Sequence, residues 1–234
     1  MPAKKDLVKI GLDKLDSVLN GGLPDRSSVL LFGPPKCGKT LFGLHFLFEG
    51  LSKDEYGIFI ITNNFPEDIM DRFKKLGKID PMLEKGLLRF VDCYSIHAGV
   101  EKENTMFIIR VNGPTALTEI GIAFTEILKK MPKSSRIRLV FDSVSTLMLY
   151  NSSKTIANFI QKFNERSKSL GVNSIFVLEE GMHDEKDVTT INSLLDIVIH
   201  LKKEKDKNYI SVSGFETDAK PINYSIKDGR IKCN

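Results

Sequence analysis

Short apolar runs of strand length alternate along the chain with longer segments in which apolar residues recur at helical spacing. This alternation is typical of β-α units, in which helices cover a mostly parallel central sheet. We therefore expect an α/β fold. The apolar runs predict five core strands, at residues 28–32, 57–62, 87–92, 137–142 and 173–178.

Three segments between these strands carry the signals of helices. Pro66 suits the first helical position, acidic residues follow it, and Gly77 ends the segment. Residues 115–131 and 153–170 each place their apolar side chains on one helical face. We expect all three apolar faces to pack against the sheet.

The pattern changes after residue 195, where shorter apolar segments follow one another closely. They lie at residues 196–202, 208–213 and 222–226, and the tight-turn dipeptide Asp228-Gly229 comes after them. Short turns join antiparallel strands. The C-terminal region is therefore predicted to be an antiparallel extension that widens the sheet.

The composition is that of an ordinary globular protein, with 41% hydrophobic and 27% charged residues. No Pro/Gly/Ser-rich linker divides the chain, so we expect one domain over residues 1–234. No apolar run reaches the roughly 20 residues that cross a bilayer, and residues 1–6 lack the apolar stretch of a signal peptide. The sequence therefore predicts a cytoplasmic protein that has no membrane partner. Its cysteines, Cys37, Cys93 and Cys233, are widely spaced and are expected to be free thiols.

Net charge does not decide whether this protein binds nucleic acid. The 34 basic and 30 acidic residues give a formal charge of +4, a modest excess for a dedicated nucleic-acid binder. Basic clusters are usually solvated faces, so we expect no nucleic-acid partner, although contact with nucleic acid stays open as the alternative. The two clusters are Lys129, Lys130, Lys133, Arg136 and Arg138, and Lys202, Lys203, Lys205 and Lys207.

The clearest motif runs from Gly33 to Thr40 and matches the pattern G-x-x-x-x-G-K-[ST] between a predicted strand and a helix that begins near Lys39. Its glycines allow a turn that points backbone N–H groups into one concavity, where the helix N-terminus also favours phosphate. Lys39 is expected to reach the β- and γ-phosphates, and Thr40 to bind Mg²⁺. The motif predicts ATP or ADP with Mg²⁺ as the ligand, contacted by Gly33, Pro35, Lys36, Cys37, Gly38, Lys39, Thr40 and Leu41.

One loop residue, Cys37, lies near the N-terminus of the predicted helix, an environment that lowers the pKa of a thiol. Redox control of nucleotide binding is one hypothesis. The other is that the turn simply tolerates a small side chain.

A second Mg²⁺ ligand is expected downstream, at the carboxyl end of an apolar strand from which an acidic side chain reaches the metal. Asp142 ends the apolar run Leu139-Val140-Phe141 and fits this role. Asp92 ends another apolar run and is the rival. We favour Asp142 because of the residues that follow it.

Those residues, in Asp142-Ser143-Val144-Ser145-Thr146-Leu147, resemble the metal-binding strand of KaiC-like proteins, a branch of the RecA superfamily. The segments Gly11 to Pro24 and Ile226 to Ile231 are similar to the same family's lead into the phosphate loop and its closing hairpin. The resemblance covers nearly the whole chain and is nearest to the single-domain archaeal type. It implies a RecA-like P-loop NTPase core, ATP as ligand and a homo-oligomer, a ring or a dimer. It also implies nucleotide contacts from Lys227 and Asp228.

Two departures from the family pattern bear on catalysis. The family usually ends its second core strand with a glutamate that polarises the attacking water, whereas this chain has Thr62-Asn63-Asn64 there, and an asparagine is no base. The family's late Lys-x-Arg pair, which reaches a neighbour's γ-phosphate, is replaced by residues 211–214, Ser-Val-Ser-Gly. We therefore expect a slow ATPase with Lys39 and Asn63 among its catalytic residues.

Two acidic residues, Glu179 and Glu180, end the strand expected beside the phosphate loop. They form either a γ-phosphate sensor, with Glu179 as a further catalytic candidate, or a solvated acidic loop. His45, His97 and His200 have no partner at metal-ligand spacing and are expected to be structural.

These features favour a nucleotide-dependent regulatory or signalling protein that acts on an unidentified partner protein. The alternative from another class is a DNA-repair recombinase paralogue. The short stretch after Asp142, residues 149–154, lacks the Gly-rich and basic character of DNA-contacting loops, which favours the regulatory hypothesis. A third candidate, a self-phosphorylating kinase, has no target Ser or Thr that the sequence singles out.

Overall fold

Strands and helices alternate in the computed structural model, which describes residues 7–132, 134–204, 207–214 and 220–233. The strands are β1 Leu7–Val8, β2 Leu23–Pro24, β3 Ser28–Gly33, β4 Tyr56–Ile61, β5 Leu88–Asp92, β6 Ile108–Arg110, β7 Ile137–Asp142, β8 Val172–Glu179, β9 Ile197–Glu204, β10 Lys207–Ser213, β11 Ile222–Lys227 and β12 Arg230–Cys233. The helices are α1 Asp13–Val18, α2 Lys39–Leu51, α3 Pro66–Lys74, α4 Asp80–Glu84, α5 Leu117–Lys129, α6 Val144–Tyr150, α7 Ser153–Ser169 and α8 Glu185–Ser193. The five core strands and three helices predicted from the sequence are all present, with ends that shift by a few residues. No helix among the described residues is both long and apolar enough to cross a bilayer.

The central sheet orders its strands as β12-β11-β10-β9-β3-β8-β7-β4-β5-β6. From β9 to β6 every neighbouring pair is parallel, and from β9 to β12 every pair is antiparallel. The predicted α/β class, with its C-terminal antiparallel group, is confirmed. The predicted segment at 196–202 forms β9, which pairs antiparallel to β10 as expected and also pairs parallel to β3, which was not predicted. Helix α8, which the sequence did not predict, connects β8 to β9 and supplies the crossover that lets both strands run parallel to β3, which lies between them.

Both faces of the sheet are covered, so the central strands bury nearly all of their side chains. Along β7, Leu139 and Phe141 pack on the face covered by α5 and α7, and Val140 packs on the opposite face with α2. This two-sided burial explains why the central strands read as continuous apolar runs without polar alternation. The predicted helical stripes are core, since Phe73 of α3 and Ile160 of α7 are fully buried.

Arg138 lies in the interior, which corrects its assignment to a basic surface cluster. Its side chain is 1% exposed, and its Nε donates to Oε2 of Glu55 at 2.6 Å. Its guanidinium also donates to the carbonyl oxygens of Lys9 and Phe46 and lies 4.8 Å from the Phe46 ring centre. A guanidinium paired in this way holds α2 and the N-terminal segment against β7. Two other members of the basic clusters, Lys133 and Lys205, lie outside the described residues.

Candidate functional site

The predicted phosphate loop connects the end of β3 to the start of α2 at the carboxyl edge of the sheet. Within it Lys36 and Gly38 have φ values of 61° and 99°, in the left-handed region. The loop is also tightly enclosed: a Cβ on Gly38 would lie 2.7 Å from Cδ1 of Ile226, and one on Gly33 would lie 2.3 Å from a backbone oxygen. These two glycines are therefore required by backbone shape and by space.

The side chain of Lys39 lies inside the loop and contacts several partners. Its Nζ donates to the carbonyl oxygens of Gly33 at 2.8 Å and Pro34 at 2.6 Å, and its side chain is only 5% exposed. The same ammonium lies 3.0 Å from Oε2 of Glu179. Strand pairing produces this contact, because Gly33 on β3 is in register with Glu179 on β8. The backbone N–H of Glu179 is itself held by Oγ of Ser145, at 2.7 Å.

The two predicted metal ligands lie together. Thr40 Oγ1 donates a 2.6 Å hydrogen bond to Oδ2 of Asp142, which ends β7. Burial raises the pKa of the Asp142 carboxyl, and the Thr40 hydrogen bond and the charge of Lys39 oppose that rise. The rival Asp92 is two strands farther along the sheet, where it pairs with Arg110 at 3.3 Å.

The loop after β4 carries the asparagines that replace the family's glutamate. Asn64 Nδ2 donates to Oδ1 of Asn63 at 2.7 Å, and Asn63 is exposed to a neighbouring cleft. The preceding residue, Thr62, is buried, and its hydroxyl accepts from the N–H of Ser143 at 2.7 Å. The two asparagines therefore directly follow a residue, Thr62, that is hydrogen-bonded to the residue after Asp142.

That cleft has a volume of about 540 Å³ and opens beside the phosphate loop. Sequence reasoning missed it, although it proposed Asn63, Glu179 and Glu180, which lie on its wall. The signal in the sequence was the polar residues that follow strand ends, since parallel strands all end at one edge. Its lining residues are Pro35, Thr62, Asn63, Tyr94, His97, Ser143, Ser145, Thr146, Leu149, Tyr150, Glu179, Glu180, Gly181 and Met182.

The C-terminal hairpin of β11 and β12 leans over the phosphate loop. Tyr224 Oη donates to the carbonyl oxygen of Cys37 at 2.7 Å, and the N–H of Ile231 donates to Nε2 of His45 at 3.0 Å. At the hairpin turn the candidate contacts Lys227 and Asp228 are exposed. The hairpin therefore reaches the loop through its strands and presents the two candidate side chains to solvent.

The environment of Cys37 differs from the one expected. The residue is buried, and burial raises the pKa of its thiol although the nearby Lys39 lowers it. The expectation of a lowered pKa from the helix N-terminus is wrong, because loss of solvent outweighs the favourable charge. A buried thiol with a raised pKa gives no support to redox control.

The remaining candidates lie around the same edge. Pro35 and Lys36 are exposed at the loop tip, and Leu41 is partly buried in the first turn of α2. On the far side of Glu179, Oε2 of Glu180 lies 3.0 Å from Nε2 of His200. Within the described part of the chain, no group of three or more His, Cys, Asp or Glu side chains is arranged to hold a metal ion.

Comparisons with known proteins give a family, relatives and a similar fold. The model of the KaiC ATPase family matches residues 8–228. The UPF0273 protein PH0284 of Pyrococcus horikoshii is 33% identical over 172 residues, which cover 73% of this chain and 67% of that protein. A UPF0273 protein of Thermotoga maritima is 29% identical over 173 residues, covering 73% and 68%. The crystal structure of the KaiC-like protein PH0186 from Pyrococcus horikoshii OT3 superposes with a TM-score of 0.74 at 20% identity, covering 98% of this chain and 99% of that one, a likeness of fold alone.

Proposed function

The chain belongs to the KaiC family of ATPases, and from this premise we propose that it binds Mg-ATP at the loop from Gly33 to Thr40 and hydrolyses it slowly. The observation that carries the proposal is the 2.6 Å hydrogen bond between Thr40 and Asp142, which sets a hydroxyl and a carboxylate side by side at the start of α2. Family membership implies a nucleotide ligand. The rest of the proposal concerns what these residues do with it.

The residues present fit the triphosphate and the metal. The left-handed conformations of Lys36 and Gly38 bend the loop so that its N–H groups form an anion-binding concavity at the N-terminus of a 13-residue helix. Oxygen ligands such as Thr40 and Asp142 are those that Mg²⁺ prefers, and Mg²⁺ bound there neutralises phosphate charge. Close packing of Ile226 on Gly38 leaves no room for a side chain that would fill the concavity.

Each residue has a specific role in this proposal. Lys39 binds the β- and γ-phosphates, and Thr40 and Asp142 hold the metal. Backbone and side-chain contacts to the phosphates and the nucleoside come from Gly33, Pro35, Lys36, Cys37, Gly38 and Leu41. Lys227 and Asp228 are proposed as further contacts, which their place on a hairpin packed against the loop supports.

Slow hydrolysis is proposed because the groups that speed it are replaced. Asn63, at the cleft wall, orients water by hydrogen bonding but takes no proton. Glu179 is the carboxylate beside Lys39 and is the remaining candidate base, yet one of its oxygens is already held in the ion pair with Lys39. Residues 211–214, which stand where the family has Lys-x-Arg, bring no cation.

We further propose that nucleotide state regulates a protein partner and that the chain assembles as a homo-oligomer. A protein partner fits better than nucleic acid because Arg138, counted in a basic cluster, is buried. The stretch after Asp142 is also mostly helical, with α6 and α7 separated by Asn151 and Ser152 alone. Neither feature supplies the long basic loop that a recombinase uses.

Thermal unfolding with and without Mg-ATP tests the central claim. A ligand at about 100 times its Kd stabilises the folded state by about 2.7 kcal/mol, so Tm should rise by several degrees. Lys39→Ala should remove most of that rise. Lys53→Ala, in the turn just after the same helix and paired on the surface with Glu49, is the matched control and should keep that rise. An unchanged wild-type Tm at millimolar Mg-ATP would refute nucleotide binding. Sub-micromolar affinity for single-stranded DNA at physiological salt would instead favour the recombinase alternative.

A further inference from the structure

We propose that the cleft beside the phosphate loop binds an arginine side chain carried on an apolar segment of a partner protein. This inference rests on the proposed function, because ATP makes the site available by drawing Lys39 away from Glu179. The ligand class follows from the charges, the aromatic rings and the apolar rim of the cleft.

The charge of the cleft is negative. Glu179 and Glu180 line it with side chains that are 24% and 39% exposed, and no Lys or Arg is among the described residues that line it. Each carboxylate has one partner from outside the cleft, Lys39 for Glu179 and His200 for Glu180. A cation that enters the cleft therefore meets two carboxylates from the solvent side.

Aromatic rings form another part of the wall. Tyr94, His97 and Tyr150 all line the cleft, and the rings of His97 and Tyr150 meet edge to face with centres 5.0 Å apart. Ring faces attract a guanidinium more readily than an ammonium, because its planar group stacks on them and is weakly hydrated. Carboxylates and rings together favour arginine over lysine.

The rim of the cleft is apolar. Leu149, Tyr150 and Met182 are 56%, 48% and 45% exposed, and all three lie at this one opening. Large apolar side chains that remain exposed together mark a surface for another protein, and arginine and aromatic residues dominate the centres of such interfaces. The rim therefore indicates a polypeptide segment with apolar residues beside its arginine, and not a free amine.

Lys39 couples the cleft to nucleotide. Its ammonium pairs with Glu179 at 3.0 Å here, and the same ammonium is the group proposed to bind the β- and γ-phosphates. When Lys39 turns to phosphate, Glu179 loses its cation and faces the cleft beside a strongly negative ligand. An arginine from the partner then restores the balance of charge. Because coupling between two sites is reciprocal, the partner should tighten ATP binding by the same factor by which ATP tightens partner binding.

The direct test uses a fluorescein-labelled peptide amide of sequence Gly-Leu-Arg-Leu-Gly and its counterpart with citrulline, which keeps the shape of arginine but has no charge. Fluorescence anisotropy is measured with the full chain alone, with Mg-ADP and with a non-hydrolysable ATP analogue. The arginine peptide should bind about tenfold more tightly with the ATP analogue than without nucleotide. The citrulline peptide should bind weakly in all three states.

Variants locate the site of peptide binding. Glu179→Gln combined with Glu180→Gln should abolish the nucleotide-dependent binding, and Tyr150→Ala should weaken it about two- to fivefold. Glu185→Gln, an exposed carboxylate outside the cleft on α8, is the matched control and should change nothing. Circular dichroism and nucleotide binding are checked for each variant, so a misfolded protein is recognised and replaced by the single Glu180→Gln variant.

Nucleotide affinity, measured in the same samples, distinguishes failure of this inference from failure of the proposed function. If the ATP analogue binds but the two peptides bind alike, or neither binds at millimolar concentration, the inference fails and the proposed function stands. If the ATP analogue itself does not bind, the proposed function fails. Sedimentation provides the last arm: self-association that needs the ATP analogue and is lost in the Glu179→Gln and Glu180→Gln double variant would identify a second copy of this chain as the occupant and overturn the assignment to another protein.

Discussion

The ammonium of Lys39 lies 3.0 Å from a carboxylate oxygen of Glu179, where β8 ends beside the phosphate loop. The three N–H donors of this ammonium are directed at Glu179 and at the carbonyl oxygens of Gly33 and Pro34, so the proposed binding of phosphate would require Lys39 to give up one of these partners. If Glu179 is the partner that is given up, the exchange would lower nucleotide affinity, and the carboxylate left without its cation would repel the phosphates.

Replacing Glu179 with Gln should therefore tighten ATP binding about three- to tenfold, because the change removes both the competition for Lys39 and the repulsion. Calorimetric or fluorescence titration with Mg-ATP measures the effect. Glu180→Gln, whose carboxylate pairs with His200, should leave the affinity nearly unchanged. A weaker affinity in Glu179→Gln would mean that the carboxylate helps to hold the metal, and would contradict this account.

Asp142→Asn should leave the affinity for ATP in the absence of metal unchanged. The increase in ATP affinity that Mg²⁺ confers should become about 10- to 100-fold smaller, because residue 142 loses the negative charge that binds the metal. The comparison is ATP titration with Mg²⁺ and with a chelator. Asp92→Asn separates the two aspartates. It should lower stability by about 3 kcal/mol, because it leaves the buried Arg110 without its counter-charge, while the Mg²⁺ enhancement stays at the wild-type value. Equal loss of Mg²⁺ enhancement in both variants would show that the metal role was assigned to the wrong residue.

Steady-state ATPase activity should be slow in the wild type. A positioned base contributes about 10² to 10⁴ in rate, and a cation at the γ-phosphate about 10³ to 10⁵ in switch GTPases, and both are replaced here. Asn63→Glu, and separately Asn64→Glu, should raise turnover, because each restores a carboxylate after β4. Wild-type turnover of about one per second or faster would contradict the prediction and would point to Glu179, Glu180 or Asp92 as the base.

Protonation of one histidine, His45, should lower the free energy of unfolding as the pH falls. Burial, with a smaller contribution from the charge of Arg230, lowers the pKa of His45 to about 4, against about 6.5 when unfolded. Between these values the unfolded state binds more protons than the folded state, so stability is full above about pH 6.5 and is lost as pH falls toward 4. The loss amounts to at most about 3 kcal/mol.

His45→Gln tests this dependence, because its side-chain oxygen accepts the Ile231 N–H bond without titrating. Urea unfolding between pH 7 and 4.5 should give a shallower loss of stability in the variant than in the wild type. Carboxylates contribute equally to both proteins, so the difference between the two curves isolates His45. Parallel curves would show that His45 is protonated in the folded state.

The sequence alone determined the five core strands, the C-terminal strand segments, the main helices and the phosphate loop, and it gave no signal for β1, β2 or β6. Continuous apolar runs arise because β3, β4, β7 and β8 are buried on both faces. The phosphate loop is recognisable because its backbone conformation requires particular residues at particular positions, such as glycine at position 38. The neighbourhood of Thr40 and Asp142 was also predictable in outline, since parallel strands end at one edge of the sheet.

Only the tertiary structure decided how residues far apart in the chain meet. It placed β9 parallel to β3. The sequence did not predict this pairing because the crossover helix α8 has a weak sequence signal. The sequence placed Arg138 in a basic cluster, whereas the structure buries it in the core. Its partners, Glu55 and two backbone carbonyls, come from other segments, so no local pattern predicted its burial. The pairing of Lys39 with Glu179 depends in the same way on strand register, which no local pattern encodes, because register is set by the packing of whole strands against their neighbours.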